Sequence, residues 1–199
     1  MKLYYAPASP YARKVIACAI ARGIDRQIER IAVNPYETPA DLVAANPLSK
    51  IPCLVTSDGM GLYDSPVICE FLDSIGDASP MFPAAGGARW RALRHQATAD
   101  GLMDAAIARR AEAAKPAYEG RDALIARHAN AMSRALDLLE SAPPHRSLDI
   151  GTIAVAAALG YLDLRFAHEP WRTTRPALAA WEAAIAPSAC LAESAPPAP

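Results

Sequence analysis

The chain has 199 residues, 52% of them hydrophobic and 21% charged, with a formal net charge of -1 and a pI near 6.4. Those proportions belong to a folded protein with a sizeable core and exclude a disordered chain. The balanced charge offers no basic footprint for nucleic acid or an anionic membrane surface, and no apolar run approaches the ~20 residues that cross a bilayer.

The opening stretch from Met1 to Pro7 lacks the apolar segment of a secretory signal, so a cytoplasmic protein is expected. Cys18, Cys53, Cys69 and Cys190 form no CxxC pair and no zinc spacing; free buried thiols are expected. The four histidines make no HExxH pattern, and neither a metal nor a prosthetic group is expected.

Lys2 to Tyr5 reads as a strand closed by Pro7. Ser9-Pro10 then opens a helix, with Ser9 as N-cap, and Val15, Ile16, Ala19 and Ile20 supply its buried face before Gly23 ends it. The alternation in residues 26–33 predicts a second strand, and Thr38-Pro39 opens a short helix to about Ala45. Residues 46–50 form a loop. Two apolar runs, 52–56 and 61–63, flank Ser57-Asp58-Gly59, a hairpin signal. Ser65-Pro66 opens another helix, with Ser65 as its cap and Val67, Ile68, Phe71, Leu72 and Ile75 as its apolar face. This order predicts a sheet with helices packed on its faces.

Residues 76–87 hold two prolines and two glycines near their end and read as an interdomain linker. Everything after that is helical. One long helix is predicted over 88–114 and another over 120–141, with Leu124, Ile125, Met132, Leu136 and Leu139 on one side. Residues 153–164 are almost wholly apolar, as in a helix buried on all sides, with Asp149 as N-cap and Thr152 as its third residue. A last helix is predicted over 176–186, and the proline-rich end at 196–199 is expected to be poorly ordered.

Three segments of the first half, Ser9-Pro10-Tyr11-Ala12-Arg13-Lys14-Val15, Asn46-Pro47-Leu48-Ser49-Lys50-Ile51-Pro52 and Tyr63-Asp64-Ser65-Pro66-Val67-Ile68, carry a resemblance to a known family. So do residues 99–104 and 152–166 of the helical half. Together they resemble the glutathione transferase superfamily, in its bacterial YibF-like branch. The resemblance implies a thioredoxin-like α/β domain over residues 1–78 that binds glutathione, and an all-α domain over 86–199.

It also implies roles for particular residues. Ser9 would donate a hydrogen bond to the glutathione sulfur and hold it as thiolate, the nucleophilic form, aided by the positive end of the following helix. Local sequence alone reads Ser9 as a plain cap, and Tyr5 and Tyr11 are rival hydroxyl donors; Tyr11 is read as wall of the electrophile pocket. Ile51-Pro52 would be cis, turning the Ile51 peptide groups toward the cysteinyl part of glutathione. Asp64 and Ser65 would hold the γ-glutamyl end, with Asp64 standing where many relatives carry a Glu. Lys50 has two readings, a partner for the glycyl carboxylate or an exposed loop lysine. Asp100 also has two, a contact across a dimer interface to the partner's glutathione or a solvated helix face. The implied reaction is attack of the thiolate on a small hydrophobic electrophile or a peroxide, in a homodimer. A non-catalytic ligand-binding or protein-interaction role for the same fold is the alternative.

Overall fold

Alternation along β1 (Lys2–Tyr5) decides the layering of the first half of the chain. In the structure, a computed structural model describing residues 1–196, Leu3 and Tyr4 are buried on opposite faces of a four-stranded sheet, as side chains of period two require. The strand order is β2-β1-β3-β4, where β2 is Glu29–Ala32, β3 is Cys53–Val55 and β4 is Gly61–Leu62. β2 runs parallel to β1, and β3 is antiparallel to β1 and β4. Helices α1 (Pro10–Ala21) and α3 (Ser65–Ile75) pack together over the face that holds Leu3 and Leu54. On the other face α2 (Ala40–Ala45) brings Leu42 against Tyr4 and Cys53. This is the thioredoxin-like arrangement expected.

Several boundaries differ from expectation for local reasons. Asp25–Gln27 is a 3-10 turn, so β2 starts later than the alternation suggests. Thr38 does not open α2: it sits in the left-handed region at φ 47, ending a 3-10 turn over Pro35–Glu37, and Pro39 takes the N-cap position. Ser65 is not the cap of α3 either; Asp64 holds that position and Ser65 is the buried first residue. The buried face of α3 is Ser65, Ile68, Cys69 and Leu72, while Val67 and Ile75 face solvent. All four cysteines are free and buried.

The second half consists of α4 (Gly86–Ala113), α5 (Arg121–Ser141), α6 (Ile150–Arg165), α7 (Trp171–Thr174), α8 (Pro176–Ile185) and α9 (Ala189–Glu193). α6 is the hub, packed against α4, α1 and α9. Ile150, Ile153, Val155 and Leu159 are fully buried, each worth about 1.5–3 kcal/mol of apolar transfer. Its start is the capping box expected: Asp149 accepts from the Thr152 N–H at 2.8 Å, and the Asp149 N–H donates to Thr152 Oγ1 at 2.8 Å. On α5, Met132, Leu136 and Leu139 are buried but Leu124 is exposed. The short helices α7 and α9 carry no sequence signal of their own. From residue 197 onward, the expectation about the proline-rich end falls outside the described residues.

The connection from α3 to α4 is pinned. Asp73 pairs with the buried Arg22 at 3.1 Å and accepts from the Met81 and Phe82 N–H groups at 2.6 and 3.1 Å. The Met81 carbonyl in turn accepts from the Ile150 N–H at 2.9 Å. The helical half is therefore tied to the sheet half at the start of α6. No helix among the described residues is long and apolar enough to cross a membrane.

Candidate functional site

Ser9 stands half-buried at the start of α1, and its side chain accepts a 3.2 Å hydrogen bond from the Ala12 N–H. That bond uses one lone pair. A serine hydroxyl also has one proton to donate, so capping and donation to a ligand are compatible. Of the rival donors, Tyr11 is already committed: its hydroxyl donates to Asp104 of α4. Burial, and then that carboxylate, push the Tyr11 pKa far up, so the phenol stays protonated. Tyr5 ends β1, with its ring packed against the main core.

Ile51-Pro52 is cis, as expected, at the head of β3. The loop before it is built by a residue the sequence reading left unassigned. Buried Asn46 donates to the Lys50 carbonyl at 2.9 Å and accepts from the Leu48 N–H at 3.0 Å. Asparagine side chains fold loops in this way because they mimic a turn of backbone. Lys50 itself is exposed and forms no ion pair among the described residues. The Tyr63–Asp64 peptide is also cis, which no local signal announced. Asp64 is exposed at the start of α3, where free peptide N–H groups favour an anion.

Across from these residues lies a polar contact between the two halves. Lys14, on α1 and wholly buried, donates to both oxygens of Asp100 on α4, at 2.7 and 2.8 Å. Asp100 is thus neither a solvated helix residue nor unpaired: it has a partner within its own chain. Burial raises the Asp100 pKa, Lys14 opposes that shift, and the charges of Asp104 and Asp64 add to it. Tyr11 and Lys14 on α1 therefore face Asp104 and Asp100 on α4 as two rungs. Asp64 lies near enough to act on the same carboxylate.

A crevice of about 10 Å³, room for about one water molecule, opens beside Ser9. Arg13 lines it from α1, Ala157, Tyr161 and Leu164 from α6, and Pro196 from the C-terminal segment. Tyr11 is not among its walls; it lies at the α1–α4 contact. Among the described residues no group of three His, Cys, Asp or Glu side chains is arranged to hold a metal ion. Cys53, beside Pro52, has its thiol pushed up to about 11 by burial, which makes it a core thiol rather than a nucleophile.

Residues 8–75 match the family described as glutathione S-transferase, N-terminal domain. An Escherichia coli (strain K12) protein described as "Uncharacterized GST-like protein YibF" is 34% identical over 183 residues, covering 89% of this chain and 90% of that protein. The chain belongs to the glutathione S-transferase family. A glutathione transferase family member from Pseudomonas fluorescens Pf-5, solved with bound glutathione, is similar with a TM-score of 0.91 and 38% identity, covering 99% of each chain. A second structure of a family member from that organism contains S-(propanoic acid)-glutathione and is similar with a TM-score of 0.87 and 37% identity over the full length of both chains. Membership accounts for the order of the three motifs. The transferase fold brings Ser9, Ile51 and Asp64 to the ends of α1, β3 and α3, at one edge of the sheet domain.

Proposed function

We propose that this chain activates the thiol of glutathione as thiolate for attack on a small electrophile, or on a peroxide, with Ser9 as the hydroxyl donor. The observation that carries the reading is Ser9's hydrogen bonding: the hydroxyl accepts from Ala12 and lines the crevice, which leaves its proton available. The N-terminal end of α1 adds partial positive charge at the same place. The relatives' bound glutathione supports the tripeptide as co-substrate, and the S-(propanoic acid)-glutathione in one of them supports a thioether as product.

In this reading residues 1–78 form the glutathione-binding domain and 86–199 the helical domain. The Ile51 peptide groups, placed by the cis Pro52, pair with the cysteinyl part, and Asp64 and Ser65 hold the γ-glutamyl end. Lys50, exposed on the Asn46 loop, meets the glycyl carboxylate. Tyr11 borders the electrophile site from the α4 side. A homodimer in the cytoplasm completes the proposal. Exposed apolar side chains on β4's turn, α3 and α4, Met60, Val67 and Trp90 (70% exposed), support a second copy as their cover.

The test is the ultraviolet absorbance of bound glutathione against pH, in wild type and in Ser9→Ala. The bound thiol is expected to titrate below its ordinary range in wild type and to return toward it in the variant. A hydrogen bond to a charged group is worth about 1.5–3 kcal/mol. The variant should therefore lose about 10- to 100-fold in kcat/KM with a model electrophile. Glutathione that binds both proteins with one unshifted thiol would leave Ser9 a cap and the chain a ligand-binding protein.

A further inference from the structure

Arg13 lies one turn after Ser9, its N–H bonded to the Ser9 carbonyl at 3.0 Å. Its side chain crosses from α1 into the helical half, where Nη1 donates to the Ala156 carbonyl at 3.2 Å and Nη2 to the Leu191 carbonyl at 3.3 Å. The niche is built for it: a Cβ on Gly160 of α6 would sit 1.9 Å from Nη1. A guanidinium has five N–H donors. Two are used by those carbonyls, and the buried Nε has no partner.

The charge is unmatched as well. Two carboxylates act on Arg13, those of Glu182 and Asp163, and both are held by Arg172 in ion pairs. Among the described residues Arg13 forms no ion pair of its own. Burial is the main influence on it and pushes its pKa down. Buried charges are ordinarily paired, because a desolvated ion without a partner is costly. This one lines the crevice beside Ser9, and no acidic side chain lines that crevice.

We propose that Arg13 receives the carboxylate of the second substrate, and that the preferred electrophiles are small α,β-unsaturated carboxylic acids. The proposal rests on the reading of Ser9 given above. The sulfur of the thiolate attacks the β-carbon and forms the C–S bond. The alkene π pair moves to the α-carbon and onto the carboxylate, which becomes more negative. The α-carbon then takes a proton from water, equivalent to the one the thiol released, and no group leaves. Charge on the carboxylate grows during the attack, so a fixed guanidinium favours the transition state over the bound acid. The narrow crevice favours a short acid over an aryl one.

Arg13 also ties α1 to α6 and α9, so a loss of stability alone says nothing about substrate. The experiment compares acrylate with its uncharged analogue acrylamide, each as enzymatic acceleration over the uncatalysed reaction with glutathione, in wild type, Arg13→Met and Arg13→Lys. Wild type is expected to accelerate acrylate about tenfold or more above acrylamide, the usual size of a charge-assisted contact. That ratio should fall about tenfold in Arg13→Met and recover in part in Arg13→Lys. Propionate should inhibit the wild-type acrylate reaction competitively, and propionamide should not, a result that depends on no variant. Acceleration of acrylamide with no preference for acrylate, or no inhibition by propionate, overturns the Arg13 assignment and leaves Ser9's role intact. Acceleration of neither acceptor, with an unshifted thiol in the titration above, overturns both.

Discussion

Side chains that sequence reading passed over set the electrostatics of the interior. Lys14 stands four residues before Cys18, which is fully buried, so helical spacing alone places it on an inward face. Its partner Asp100 is 86 positions away, and no local pattern joins the two. His95 is another such residue. Its Nδ1 is buried without a partner, and burial, followed by repulsion from Arg94, pushes its pKa below the usual histidine range. The unfolded chain therefore takes up the proton first as pH falls. Stability is lost from about pH 6.5 downward until the folded ring also titrates. His95→Gln is expected to lose less Tm than wild type between about pH 7 and pH 5; an equal loss in both proteins would show that His95 contributes nothing to the acid sensitivity.

Elements were legible where their signals are local. The hairpin at Asp58-Gly59, the Pro10 helix start and the Asp149–Thr152 box all depend on residues within four positions of one another. The faces of α3 and α5 were less legible. Val67, Ile75 and Leu124 are as apolar as their buried neighbours, yet they point outward because the sheet and α4 cover only one side of each helix. The α4–α6 crossing shows how tight a covered side is. A Cβ on Gly151 would lie 2.6 Å from the Ala92 carbonyl oxygen and 2.8 Å from His95 Cβ. Overpacking of that kind costs about 1–3 kcal/mol, offset by about 1 kcal/mol of helix propensity gained over glycine. Gly151→Ala is expected to lower Tm by about 2–8 °C, at about 2–4 °C per kcal/mol for a chain of this size. A Tm at or above wild type in a thermal melt would mean that the helices separate at little cost.

Across the whole molecule, one hydrophobic core runs from Leu3 of β1 through α1 and α3 to Leu191 of α9. Arg13, the Lys14–Asp100 pair and the Arg22–Asp73 anchor add polar ties between the halves. Unfolding is therefore expected to be a single event. All three tryptophans, Trp90, Trp171 and Trp181, lie in the helical half, whereas Cys18, Cys53 and Cys69 lie in the sheet half. In urea, tryptophan fluorescence and thiol labelling should report one midpoint; separate midpoints would mean that the two halves fold independently.

Strand alternation, helix starts, the hairpin and the order of the glutathione-site motifs could all be read along the chain, because periodicity, capping and turn geometry act over a few residues. The cis Ile51–Pro52 bond and the Ser9 position came with the motifs. What Arg13, Tyr11, Lys14 and Asp100 do depended on the assembled fold. Their partners are 86 to 178 residues distant. Which face of α1 meets α4, and which meets α6, is settled only when the shared core closes and the buried charges must find partners or go without.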